Sequence, residues 1–302
     1  MNLHNVSLIT EISQIEFHQI KSKLLTIHKS DLVEIMEQNS EKIDLYKITY
    51  LSNEHKVHGY ISKSKASSDD PVIIFNRGGS KDYSILKSSF FYGGACASLV
   101  LQGYTVIASQ YSGCDGSEGK DEHGGAELDD VLVLKEIIDQ LDWVNKNKIG
   151  MFGISRGGLM TYLSLTKVNW IKAAVTWGGR SNMNNQLDKR TEMIEWTKDM
   201  FDNTDQNEID NRSPVKFTDK FCEATPLLIM HGTADWRVDP MDSIELATNL
   251  LKNKKPFRLM LLEGADHGLS ELKKLAINST ISWFDRYIKN DEALPNLVVH
   301  GN

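Results

Sequence analysis

Short runs that are apolar at nearly every position recur at Val72–Phe75, Tyr104–Ser109, Lys148–Phe152, Ala173–Trp177, Leu227–Met230 and Phe257–Leu262. A strand that reads apolar throughout is buried on both faces, which is the signature of a parallel sheet covered on both sides. Stretches with helical periodicity lie between the runs: Glu127–Lys146, Ser155 to about Lys167, Pro240–Lys252 and Ser270–Lys289. Alternation of this kind places the chain in the α/β class, with a mostly parallel central sheet and helices on both faces. Upstream, Ile43–Leu51 and Val57–Ile61 read as two strands joined by the polar turn Ser52-Asn53-Glu54, so one edge of the sheet is a meander. From Leu8 to Asn39 the pattern is helical, with Leu24, Ile27, Leu32, Ile35 and Met36 on one face and Ser30-Asp31 as a cap. The expected division is a helical extension over residues 1–42 packed on the core, an α/β domain over 43–290, and a C-terminal tail over 291–302.

At 302 residues the chain has room for one large core. Residues 180–224 are long, polar and partly helical, including Met193–Phe201. An excursion of that length inside a compact domain needs a role, and a lid over a site is the expected one. The net charge of −7 excludes an electrostatic nucleic-acid binder, which would carry a basic face. No run approaches the roughly 18 consecutive apolar residues of a membrane span, and Met1–Thr10 lacks the features of a secretory leader. Cys96, Cys114 and Cys222 are too few and too irregularly spaced for a disulfide framework or a metal knuckle. They read as reduced thiols of a cytoplasmic protein. Asn278-Ser279-Thr280 matches a glycosylation acceptor, an accidental match in a chain without a leader.

Gly153-Ile154-Ser155-Arg156-Gly157 is a G-x-S-x-G that follows an apolar strand and opens a helix. That context is what a nucleophile elbow requires, whereas the letters alone also fit an ordinary glycine-rich turn with a capping serine. The turn forces the serine into strained dihedrals, so its close neighbours must lack side chains. A nucleophilic serine needs a base and a carboxylate to orient it, and on this architecture the chain order is Ser, acid, His. His267 lies just after the last strand. Asp235 lies just after the strand Leu227–Met230, where α/β sites are built. Asp239 and Asp266 are the alternative acids, and His231 is more suited to supporting the Asp235 loop than to acting as base.

The expected oxyanion donors are the N–H of Arg156 and a second group from Asn76-Arg77-Gly78-Gly79, either a backbone N–H at Gly78 or the Arg77 cation. Asp115, Glu118, Asp121 and Glu122 make the loop at 110–126 acidic. The bland reading is a solvated loop; the functional one has Asp115 or Glu118 binding a substrate ammonium. Trp236, which flanks Asp235, is a candidate pocket wall, as are Trp177 and Trp196, although tryptophan is often simply buried. No cofactor or metal is called for, because no ligand spacing such as H-E-x-x-H occurs.

Together these residues resemble the catalytic domain of the prolyl oligopeptidase family, on the α/β-hydrolase fold. The likeness rests on Gly153-Ile154-Ser155-Arg156-Gly157-Gly158, on His231-Gly232-Thr233-Ala234-Asp235-Trp236-Arg237-Val238 and on the late His267. Gly113-Cys114-Asp115-Gly116-Ser117 leading to Glu127, and Ser213-Pro214, add to it, over roughly residues 70–290. The resemblance implies hydrolysis of short peptides, or related amides and esters, through an acyl-enzyme on Ser155. The chain departs from the family pattern in three places. Only about 70 residues precede the core, where members usually carry a propeller. Arg77 stands where a Tyr or His often precedes the glycine pair, and Asp239 interrupts the usual Val-Pro. A carboxylesterase on the same machinery is the alternative; a non-catalytic relative would lack one of the three candidates. The expected partner is a small peptide or ester substrate, with no nucleic acid or membrane. The N-terminal segment packs either on the core or on a second copy, leaving a homo-oligomer open.

Overall fold

The apolar runs form the strands, and all of them join one sheet. In the computed structural model, which describes Leu3 and residues 6–301, the strands are β1 (Ile9–Gln14), β2 (Ile43–Ser52), β3 (His55–Ser64), β4 (Asp70–Asn76), β5 (Thr105–Ser109), β6 (Val144–Ile154), β7 (Ala173–Trp177), β8 (Leu227–Gly232) and β9 (Phe257–Leu262). The remaining residues of the N-terminal extension and Asn302 of the tail lie outside the described residues. The nine strands run in the order β1-β2-β3-β5-β4-β6-β7-β8-β9. Pairing is antiparallel from β1 to β5 and parallel from β5 to β9.

Both faces are buried at β4, β5, β7 and β8, as the uninterrupted apolar runs require, while the edge strand β9 is half-exposed. Along β4, Ile73 and Phe75 join one core with Phe91, Leu99, Val175, Trp177 and Phe284. Val72 and Ile74 face the opposite core with Val131, Ile137, Met151, Leu159 and Leu246. The first layer is made by helices Phe17–Leu25, Ser30–Ser40, Gly94–Leu101 and Lys273–Phe284, the second by Leu128–Leu132, Leu134–Ile138, Arg156–Leu165 and Pro240–Lys252. The β2–β3 turn places Asn53 and Glu54 at φ of 44° and 68°. Two successive positive φ values make the two-residue turn whose twist suits a hairpin.

Three stretches differ from the sequence expectation. Residues 9–14 are a strand along the edge of β2, not the start of a helix. The segment is half-exposed, so its apolar residues are too sparse to announce it. The helix expected over 127–146 is two short helices, Leu128–Leu132 and Leu134–Ile138, and Val144 already pairs with Asp70 of β4. Trp143 and Val144 are buried there, and burial in the sheet overrides the helical pattern. The Ser30–Ser40 helix starts where expected, but its N-cap position is Lys29, so Ser30 and Asp31 lie inside the first turn, where Asp31 accepts the Leu32 N–H at 2.9 Å.

Residues 180–224 leave the sheet between β7 and β8. They form helices at Met183–Lys189, Glu192–Thr197 and Gln206–Asn211 around a small core of Met183, Leu187, Met193, Met200, Phe201 and Ile209. Among the described residues, no helix is long and apolar enough to cross a membrane.

Candidate active site

Ser155 joins β6 to the helix Arg156–Leu165 with φ of 60° and ψ of −121°. That conformation is strained for a residue with a side chain, and the neighbours hold it in place. The Ser155 N–H donates to Trp177 O (2.9 Å), and its carbonyl accepts from Gly158 N (2.9 Å) and Arg180 N (3.3 Å). The crossing is tight: a Cβ on Gly157 would lie 1.9 Å from Asn76 O, and one on Gly153 would lie 2.1 Å from Gly157 O. The glycines of the motif are therefore a steric requirement.

Asp235 sits in the loop after β8 and His267 in the loop after β9. The His267 Nδ1–H donates to Asp235 Oδ2 at 2.7 Å. The other oxygen, Oδ1, accepts the N–H groups of Arg237 (2.8 Å) and Val238 (3.0 Å). His231 adds a further donor: its Nε2 lies 3.0 Å from Val238 O and 3.1 Å from Asp235 Oδ2. A carbonyl can only accept, so Nε2 carries the proton and Nδ1 accepts from the Ser243 hydroxyl at 2.6 Å. Burial alone would raise the Asp235 carboxyl. Hydrogen bonds from His231, His267 and the Val238 N–H outweigh it and hold the group well below the usual carboxylate range. His231 thus supports the acid, as its position in the chain suggested. The alternative acids are engaged elsewhere: Asp239 caps the helix Pro240–Lys252 and pairs with Lys189, while Asp266 accepts from Gly268 N and Ser270 N of its own loop.

Ser155 and His267 line one cavity of about 750 Å³, walled on its far side by Tyr83, Met193, Trp196 and Trp236. Met193 and Trp196 come from the 180–224 excursion, which accordingly covers the site. Gly178, with φ of 51°, ends β7 directly behind the acid–imidazole pair. A Cβ there would lie 3.1 Å from Asp235 Oδ2 and 3.2 Å from His267 Nδ1. Trp236 stands at the cavity, 66% exposed, with Arg190 and Arg237 stacked on its ring. Trp177, the last residue of β7, is buried and donates to Thr280, and it does not line the cavity.

The expected oxyanion and ammonium groups divide. Gly78 lies against the serine, since a Cβ on it would lie 3.1 Å from Ser155 Cβ. The Arg77 guanidinium is not the free cation expected: it donates to the carbonyls of Gln110, Gly78, Tyr83 and Lys81 and stacks on Tyr111. Only the Arg77 backbone remains eligible as a donor. Asp115 and Glu118 do not reach the cavity. The 110–119 loop folds back on the β2–β3 hairpin, which offers it donors. Asp115 accepts from Lys47 (3.3 Å) and Gln110 (3.1 Å), and Glu118 accepts from Lys56 N (2.8 Å).

The inward acids of this region are Asp121 and Glu127, which hold the Arg156 side chain at 1% exposure. Asp121 takes both Nη atoms, at 2.9 and 2.7 Å, and Glu127 takes Nη2 at 2.6 Å. Nη1 also donates to Gly79 O (3.0 Å), tying the residue after Ser155 to the glycine pair, and the guanidinium stacks on Tyr111. Burial would lower this cation, but the two carboxylates raise it. Sequence reasoning missed this cluster, and it missed Arg180, His123 and Ser80, which also line the cavity. The one available signal was that Arg180 follows the C-terminal end of β7. Among the described residues, no group of His, Cys, Asp and Glu is arranged to hold a metal.

Comparison with known proteins agrees with this geometry. The family model described as "Prolyl oligopeptidase family" matches residues 92–291. The chain is 28% identical to "Uncharacterized peptidase YtmA" of Bacillus subtilis, over 72% of this chain and 83% of that protein. It is 26% identical to "Putative esterase YitV" of the same organism, over 54% of this chain and 66% of that one. Among solved structures it is similar to the acylaminoacyl peptidase of Pyrococcus horikoshii, with a TM-score of 0.71 and 20% identity. The match covers 82% of this chain and 42% of that longer one, and shows the α/β-hydrolase fold. With that fold, a serine at the elbow and a family match over most of its length, the chain belongs to the prolyl oligopeptidase family of serine hydrolases.

Proposed function

We propose that the protein is a serine peptidase acting on short peptides or related amides through an acyl-enzyme. The observation that carries this reading is the 2.7 Å bond from His267 to Asp235, on the same cavity as a serine held at positive φ. Ser155 Oγ attacks the scissile carbonyl while His267 Nε2 takes its proton. Asp235 keeps the proton on Nδ1 and stabilises the imidazolium. Developing charge on the carbonyl oxygen is received by the N–H of Arg156 and a backbone N–H at Gly78 or Arg77. His267 then protonates the leaving amine, and water, deprotonated by the same imidazole, releases the acid. Met193, Trp196 and Trp236 bound the space beside the serine and favour a small substrate over a folded protein.

A carboxylesterase is the second reading, favoured by the similarity to a protein named as a putative esterase. The test compares the wild type with S155A on short-chain p-nitrophenyl esters and on aminoacyl and dipeptidyl amides with a fluorogenic leaving group. Amide turnover comparable to ester turnover, abolished by S155A, is the expected result. Ester turnover alone makes the protein a carboxylesterase, and undiminished S155A activity overturns the assignment of the nucleophile. The free thiols support a cytoplasmic setting, with Cys96 and Cys114 buried.

A further inference from the structure

Four arginines are buried among the described residues, and three have their guanidinium donors taken up by carboxylates or carbonyls of the fold. Arg156 has Asp121 and Glu127, Arg212 has Glu208 at 2.6 Å, and Arg77 has four carbonyls. Arg180 does not. It is 4% exposed and lines the cavity beside Ser155, and its backbone N–H donates to the Ser155 carbonyl. Among the described residues its guanidinium has one hydrogen-bond partner, His123 Nε2, and no carboxylate within 4.0 Å. Its Nε has no partner at all.

His123 orients this cation without neutralising it. Guanidinium only donates, so His123 Nε2 accepts and Nδ1–H donates to Ser80 Oγ at 2.6 Å. Burial and the neighbouring Arg180, Arg156 and Arg212 push the imidazole well below its usual range, so it stays uncharged. The Ser80 hydroxyl, already accepting, keeps its own proton to donate. The other cations on the cavity are engaged: Arg190 pairs with Glu192, and Arg237 donates to the Tyr83 hydroxyl while stacking on Trp236. Glu192, the one carboxylate lining the cavity among the described residues, is thereby taken. The cavity of an acidic protein is left with a surplus positive charge and no acid to bind an ammonium. A desolvated guanidinium without an anion is unfavourable, and a ligand that brings one relieves it. Consistently, burial lowers the Arg180 guanidinium to about 10, Asp242 opposing and Arg190 and Arg156 adding to the effect.

We propose that Arg180, assisted by Ser80, receives a substrate carboxylate, so that preferred substrates carry an anionic group within a few bonds of the scissile carbonyl. This rests on the serine-peptidase reading above and adds the substrate class. The carboxylate can belong to an acidic side chain on the acyl side or to the free C-terminus of a short leaving group.

Two matched pairs distinguish those sources. One is the aminomethylcoumarin amide of N-acetyl-Ala-Glu against that of N-acetyl-Ala-Gln. The other is N-acetyl-Ala-Ala with a free carboxylate against its C-terminal amide. The expected result is a kcat/KM ratio of about 10- to 100-fold favouring the anion in one pair. That ratio collapses toward one in R180M and is partly kept in R180K. Because the ratio is internal to each protein, partial misfolding of a variant cancels. Calorimetric binding of N-acetylglutamate and N-acetylglutamine to S155A and S155A/R180M reads the acyl-side preference without turnover. No preference in either pair, or a preference that survives in R180M, overturns the proposal. A fluorophosphonate probe separates the two levels: if Ser155 labels and the preference is absent, only the Arg180 inference fails. If Ser155 does not label, the underlying reading fails.

Discussion

Replacing Arg156 by Met tests whether the buried ion cluster behind the elbow holds the site. The side chain is 1% exposed and makes three charged contacts of 2.6–2.9 Å with Asp121 and Glu127. Met fills much of the same volume, so the dominant change is electrostatic: two buried carboxylates lose their cation. Stranding buried charges in this way costs about 3–5 kcal/mol, a large share of a typical stability of about 5–15 kcal/mol. In a chain of this size that corresponds to a fall in Tm of about 5–8 °C.

The pH dependence gives the sharper check. In the wild type, burial would raise the Asp121 carboxyl, but Arg156 and the N–H groups of Lys81 and His123 lower it. A depressed acid contributes stability above its unfolded pKa and loses it as pH falls through the folded value. Without Arg156 the burial effect remains and the sign reverses, so the variant carries its penalty in full at high pH and sheds it as the carboxylates protonate. Urea denaturation across pH 5–8 should show the gap between the two proteins narrowing toward acid. R156M/D121N/E127Q, which removes the stranded charges, should recover at least about 2 kcal/mol over R156M. A loss below about 1 kcal/mol, or a gap independent of pH, would refute the claim that pairing holds the cluster.

Asp235→Asn should lower kcat by about 10⁴-fold with little loss of fold, because the amide can present its NH₂ to His267 and stabilise the wrong tautomer; stopped-flow acylation of an activated ester reads it. Gly178→Ala should cost about 1–2 kcal/mol for an L residue at positive φ and about 10²-fold in kcat/KM, because the new methyl presses on the Asp235–His267 pair. Equal loss of stability with unchanged kcat/KM would show that the contact does not matter to the chemistry. Of the three thiols, Cys96 and Cys114 are buried, and burial pushes Cys114 up to about 12. Ellman titration of the native protein should therefore report one reactive thiol, Cys222, and three after denaturation.

The strands buried on both faces were the most legible part of the fold. β7 has the bounds that its apolar run indicated, because nothing but a sheet interior accommodates Ala173–Trp177; β9 has them too, although it is the far edge of the sheet and half-exposed. The edge strand β1 was not legible, since a half-exposed strand need not be apolar. Tertiary pairing of Val144 with Asp70 shortened a helix that local periodicity had extended. Ser155, His267 and Asp235 could be singled out as candidates because chain order and loop position constrain them, and the structure brings His267 onto Asp235 and onto the cavity of Ser155. The partners of Arg156 lie 29 and 35 residues away, and Arg180 meets His123 across 57. No local pattern records such encounters, which is why neither reading of the acidic loop, solvated or facing substrate, anticipates that its outer carboxylates serve the hairpin and its inner ones Arg156.

The central position of β4 bears on how this domain can be cut and recombined. The family match begins at residue 92, yet β4 ends at Asn76 and is hydrogen-bonded to β5 on one side and β6 on the other. Trimming the chain to the matched segment would remove the strand that joins the two halves of the sheet. Both flanking strands would be exposed as new edges open to intermolecular pairing. The loss would include Phe75, which packs on Phe152 and Phe90, and the Asn76–Gly78 backbone against which the elbow closes. For anyone transplanting this module into a chimera, the smallest transferable piece therefore starts upstream of Asp70, whatever boundary sequence similarity suggests.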